Sequence, residues 1–133
     1  MSVEEQRMLL ERSMARFNAG DLEGYLDLYD ESAVLHGYEG VEPGREGIRA
    51  FYQTFMKVLT GGKVVLEDVI AQEERLAFRF TFSATHSGEF MGAPATGKRV
   101  TLTGITILHF RNGKCVERWT QADFPALMQQ LGA

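Results

Sequence analysis

From Lys63 to Ala71 the chain reads Lys-Val-Val-Leu-Glu-Asp-Val-Ile-Ala, then Gln72-Glu73-Glu74, and from Arg75 to Ser87 Arg-Leu-Ala-Phe-Arg-Phe-Thr-Phe-Ser-Ala-Thr-His-Ser. Both runs are rich in β-branched and aromatic residues, and in the second Leu76, Phe78, Phe80, Phe82 and Ala84 recur at every other position. A period of two places them on one face of a pleated strand, whereas a helix would scatter them around its axis. With the polar triplet as a turn, residues 63–71 and 75–87 predict an antiparallel hairpin.

Downstream, the loop carrying Gly88, Gly92, Pro94 and Gly97 precedes a second strand pair, 99–110 and 114–122, joined at Asn112-Gly113, a strong hairpin signal. Phe124, Leu127, Met128 and Leu131 then have the spacing of a closing helix. Upstream of Gly62 the period is 3.6 instead of 2. Val3, Leu10, Met14 and Phe17 mark a helix ended by Gly20, and Asp21 caps a second carrying Leu22, Tyr25, Leu26 and Tyr29. Asp30-Glu31-Ser32 stops it, and Ala33 to His36 reads as a short strand before a Gly-rich loop. Ile48, Phe51, Tyr52, Phe55, Met56 and Leu59 form the clearest amphipathic helix, ended by Gly61-Gly62. Helices first and a long antiparallel meander afterwards predict one α+β domain over residues 1–133, with the helices on one face of a curved sheet.

At 133 residues the chain can bury a full core, and 44% hydrophobic with 24% charged residues excludes disordered and disulfide-scaffold classes. A net charge of −4 leaves no broad basic face for nucleic acid or anionic lipid. The single cysteine, Cys115, forms no intrachain disulfide, and no Cys/His cluster has metal-ligand spacing. The charged N-terminus and the lack of a long apolar run lead us to expect a cytoplasmic protein that neither enters membranes nor holds a metal. Gly92 to Lys98 imitates the start of a P-loop, but Arg99 stands where Ser or Thr is needed and a strand follows where a helix must begin, so nucleotide binding is rejected.

The stretch Thr85-His-Ser-Gly-Glu-Phe-Met-Gly-Ala-Pro-Ala-Thr-Gly-Lys98, followed by Phe110-Arg-Asn-Gly-Lys-Cys-Val-Glu-Arg-Trp-Thr-Gln-Ala-Asp123, resembles the paired motifs of the SnoaL-like polyketide cyclases. Gly44-Arg-Glu-Gly-Ile48 with Phe51, and the Gln130-Leu131-Gly132 ending, fit the same family. The resemblance implies a cone-shaped nuclear transport factor 2-like fold with an apolar pocket, no metal or organic cofactor, and a homodimer or higher oligomer. It also implies an intramolecular aldol closure of a polyketide ring, with Asp123 as acid/base and His109 as its partner. Other members of the family are hydroxylases or have no known activity, so the fold follows more directly than the reaction.

An aldol closure takes a proton from a carbon beside a carbonyl, stabilises the enolate and protonates the new alkoxide. His36, His86, Trp119, Phe51, Phe55, Phe90, Ile105 and Ile107 are the expected pocket residues for a small hydrophobic molecule. Asp123 also precedes Phe124-Pro125, the setting of an ordinary helix N-cap, and the two roles are compatible. Tyr25, Tyr29 and Tyr52 read as core packing in preference to catalytic phenols. A type I turn with a bulge at Gly113 would pair His109 with Cys115 and place His109, Ile107, Ile105, Cys115, Glu117, Trp119 and Asp123 on one face, taken as the pocket. Leu102, Leu108, Phe110 and Val116 would then face a second subunit. The alternatives are a binding domain without catalysis, and a dehydratase or isomerase using a tyrosine with His36 or His86.

Overall fold

The computed structural model describes residues 1–132. The first helix, α1, spans Val3–Asn18; Ser2 caps it in a capping box with Glu5, each side chain engaging the other's backbone N–H. Asp21 caps α2, Leu22–Leu26, by accepting from the Gly24 N–H. The second helix is shorter than its apolar stripe suggests. Tyr29 instead opens strand β1, Tyr29–His36, because the Cys115 N–H donates to the Leu28 carbonyl and Tyr29 enters register with Cys115.

Helix α3, Arg45–Val58, passes without a loop into β2, Leu59–Gln72, so Gly61-Gly62 lie inside a strand, at a point where its register shifts. The remaining elements are β3, Arg75–His86; β4, Arg99–Arg111; β5, Lys114–Ala122; and α4, Phe124–Gln130. The five strands lie in the order β1-β5-β4-β3-β2, antiparallel except for the parallel β1–β5 pair. The expected α+β architecture, helices on one face of a curved sheet, is what forms.

The inner face carries Leu76, Phe78, Phe80, Phe82 and Ala84 of β3 as the alternation requires, packed with Leu10, Met14 and Phe17 of α1 and Ile48 and Tyr52 of α3. Strand β4 runs opposite to expectation. Leu102, Leu108 and Phe110, assigned to a subunit interface, are 6%, 0% and 5% exposed in the core, while Ile105 and Ile107, assigned to the pocket, are 53% and 43% exposed.

Pairing with β3 explains the difference: Leu108 lies beside Leu76 and Leu102 beside Phe82, so the even-numbered residues of β4 continue the inner face of β3. Asn112 and Gly113 both have positive φ, 52° and 80°, which makes a two-residue type I′ turn that pairs Arg111 with Lys114 and Phe110 with Cys115. One step further in, the register slips, so that His109 faces Glu117 and Ile107 faces Trp119; the bulge lies at Cys115-Val116 and not at the turn. His109, Ile107, Ile105, Glu117 and Trp119 do share a face, but it is the outer one, and Cys115 is turned into the core. Burial pushes the Cys115 thiol up to about 12. A thiol reagent at about pH 8 should therefore leave the folded protein unmodified and label one thiol once urea is added; labelling without denaturant would show that the β4–β5 end opens readily.

Candidate functional site

Between the inner face of the sheet and the helices lies a cavity of about 510 Å³. Its walls are aromatic: Phe51 and Phe55 of α3, Phe78, Phe80 and Phe82 of β3, Phe17 of α1, and Phe90 from the loop after β3. Phe55 ties them together, with ring centroids 5.5 Å from Phe51, 5.4 Å from Phe82 and 6.3 Å from Phe90. Gly37, Tyr38 and Glu39, from the loop after β1, join Met91, Ala122 and Phe124 in the lining. Glu39 is exposed, which places its carboxylate at the rim.

One end of the cavity is polar. On β5 the alternation that turns Glu117 and Trp119 outward turns Arg118 and Thr120 inward, and Arg118 is 5% exposed. Its Nη1 donates to the hydroxyls of Tyr29 at 2.7 Å and Tyr25 at 2.9 Å, its Nε to Thr120 Oγ1 at 3.1 Å, and its Nη2 to Thr106 Oγ1 at 3.5 Å. Tyr25 and Tyr29 are 2.6 Å apart at their hydroxyls, and Tyr25 donates to Tyr52 at 3.2 Å. Tyr38 donates to Thr120, which is 2.8 Å from Thr106 on the neighbouring strand. Burial pushes the Tyr25, Tyr29 and Tyr52 phenols well above the usual tyrosine range, so all three stay protonated.

Of the residues expected in the pocket, Phe51, Phe55 and Phe90 line this cavity. His36, His109, Trp119, Ile105 and Ile107 are on the outer face, because β4 pairs with β3 so that Leu108 and Leu102 join Leu76 and Phe82 on the inner face. Trp119 and His36, in register with Ile107, point the other way. There His36 stacks on Trp119 at 5.0 Å and bonds Glu117 at 2.7 Å, and His109 meets the same indole at 4.6 Å. His86 is fully buried at the root of the following loop, its Nδ1 accepting from the Thr96 N–H, and does not line the cavity.

Asp123 is exposed and caps α4, accepting from the Ala126 N–H at 3.1 Å. Its own N–H donates to the Thr103 carbonyl, six residues along β4 from His109. At about 3.3 Å per residue, that offset along β4 corresponds to about 20 Å, too far for the two side chains to act on one atom.

The cavity's polar residues were not singled out from sequence as a group. Their signal is the helical spacing of Tyr25 with Tyr29 and the cross-strand pairing of Thr106 with Thr120, which becomes readable only with the bulge in place.

A sheet curved around an aromatic cavity and closed by helices defines the nuclear transport factor 2-like class. Within it, the chain belongs to the SnoaL-like polyketide cyclase family, whose model matches residues 7–131. Among solved structures it is similar to AclR from Streptomyces galilaeus, described as a proposed hydroxylase (31% identity over 98% of each chain, TM-score 0.86). It is also similar to IdmH from Streptomyces antibioticus, a proposed polyketide cyclase (30% identity, covering 96% of this chain and 99% of that one, TM-score 0.80). TsrD from Streptomyces laurentii is 26% identical, with 100% of this chain and 98% of that chain covered and a TM-score of 0.91.

Proposed function

We propose that the protein is a cofactor-free acid/base enzyme of the SnoaL-like cyclase type, closing a ring by an intramolecular aldol reaction on a small hydrophobic carbonyl compound held in the cavity. The observation that carries this reading is the cavity's division into aromatic walls and a single polar end, which fits a mostly hydrocarbon molecule whose oxygen faces one way. The reaction needs a base for the carbon beside the carbonyl. Glu39 is the carboxylate that lines the cavity, while Asp123, the base implied by the family resemblance, follows lining residue Ala122 but is turned into its helix cap.

Incubation with a panel of aromatic keto esters, followed by a search for products of unchanged mass, measures ring closure. Glu39→Gln should lower turnover by about a hundredfold or more, whereas Asp123→Asn should cost about 1 kcal/mol of stability through the cap and leave turnover in place. The reverse result would return the base to Asp123. Turnover by neither the wild type nor either variant across the panel would favour the non-catalytic binding reading. A dehydratase or isomerase pairing a tyrosine with His36 or His86 gains no support, since Tyr25 and Tyr52 reach the cavity and neither histidine does.

The working unit in this reading is a homodimer whose interface is the outer face of the sheet. Among the described residues no helix is long and apolar enough to cross a membrane.

A further inference from the structure

We infer that the cavity takes an aromatic molecule whose inner oxygen is anionic, an enolate, phenolate or carboxylate, received jointly by Arg118 and Tyr52. This deepens the reading above and rests on it. A guanidinium remains charged at every pH at which the fold persists, yet among the described residues no carboxylate pairs with Arg118; its four hydrogen bonds go to neutral hydroxyls. A buried cation without a counter-charge is costly, and the shortfall is largest for a group as enclosed as this one.

The direction of the hydrogen bonds shows where the missing partner belongs. Arg118 only donates, so the Tyr25 and Tyr29 hydroxyls both accept from it. Tyr25 donates onward to Tyr52, which makes Tyr29 the donor to Tyr25. The relay ends at Tyr52, whose own O–H has no acceptor in the structure and which lines the cavity. A guanidinium has five N–H groups and Arg118 places four, the weakest at 3.5 Å from Nη2, so a donor is unspent there as well.

Thr120 is closed to further use. It accepts from both Tyr38 and Arg118 and so donates to Thr106. Donors therefore outnumber acceptors at the one polar end of an otherwise aromatic cavity, which is the arrangement that holds a developing oxyanion. Because the lining offers no second cation among the described residues, and its other charged group is the Glu39 carboxylate at the rim, the ligand is a hydrocarbon framework with one such oxygen, unlike a phosphorylated or multiply charged molecule.

Calorimetry with 2-naphthoate and its neutral counterpart 2-acetylnaphthalene, at about pH 7.5, tests this. The wild type should bind the anion about ten- to hundredfold more tightly. Arg118→Met should lose that preference while keeping 2-acetylnaphthalene, Arg118→Lys should keep part of it, and Tyr52→Phe should weaken naphthoate binding several-fold. Should Arg118→Met not fold, the Nε–H resonance of Arg118 in the wild type is read instead, and it should shift with naphthoate and stay put with 2-acetylnaphthalene. Equal wild-type affinities, a preference that survives Arg118→Met, or a silent Arg118 resonance would each overturn the inference alone. Binding of neither compound would overturn it together with the cavity reading.

Discussion

Gly37→Ala should lower the melting temperature by about 10 °C or more, corresponding to a loss of about 2 to 5 kcal/mol. Gly37 follows the last residue of β1 with φ +92°, and a Cβ built there would lie 2.1 Å from the backbone oxygen of Thr120. Two penalties combine. An L side chain is strained at that φ, and the close atom belongs to the backbone of a paired strand, so no rotamer change relieves the contact.

The strain would be delivered to the cavity's polar end, since the same Thr120 accepts from Tyr38 and Arg118. Gly113→Ala separates the two penalties: Gly113 has φ +80° but nothing within 4 Å of its Cβ position, so only the conformational cost of about 1 kcal/mol applies. Equal melting losses for the two variants would show that β1 moves away from β5 at little cost.

Those strands also show how much of the molecule could be read from its sequence. The α+β architecture, the hairpins and the apolar face of β3 follow from periodicity, because Leu76 to Ala84 alternate without a competing pattern. Strand β4 offered two competing faces, Leu102, Leu108 and Phe110 against Ile105 and Ile107, and an alternation alone cannot choose between them.

Pairing with β3 chooses, setting Leu102 and Leu108 beside Phe82 and Leu76, and Trp119, expected in the pocket, follows Ile107 to the outer face. In the structure the indole is outside and the guanidinium inside, where the tyrosines of α2 and β1 supply hydroxyls to receive it. The Asn112-Gly113 turn was legible in position but not in type: the bulge expected at Gly113 lies at Cys115-Val116, which shifts the pairing of His109 from Cys115 to Glu117 and leaves His109, Ile107, Glu117 and Trp119 on one face. Phe51, Phe55 and Phe90 were placed on the pocket by motif and helical stripe, signals that do not depend on strand parity.

Sedimentation at micromolar concentration should show a homodimer, and Ile70→Glu with Ile107→Glu should convert it to a folded monomer with an unchanged cavity. The cross-strand registers align Ile70 with Ala77, Ala77 with Ile107, Ile107 with Trp119 and Trp119 with His36, a single apolar row across the whole outer face. Ile70, Ile105 and Ile107 are all exposed, and each has about 1 kcal/mol or more to gain from cover.

The row beside it runs Arg75, His109, Glu117. A two-fold axis lying along β4 in the plane of contact exchanges the β3 and β5 sides, so it sets Arg75 against Glu117 of the partner subunit and lets the apolar rows close on one another. The face therefore suits a second copy of the chain better than an unrelated surface.

Glutamates in that row would bring like charges together in a desolvated interface, which costs several kcal/mol and raises the dimer dissociation constant by about a hundredfold or more. On the monomer the same carboxylates would stand in water, so the melting curve of the dilute protein should change little and naphthoate binding not at all. A wild type that sediments as a monomer, or a double variant that remains a dimer, would place the contact between subunits on some other surface and leave this row as solvent-facing sheet.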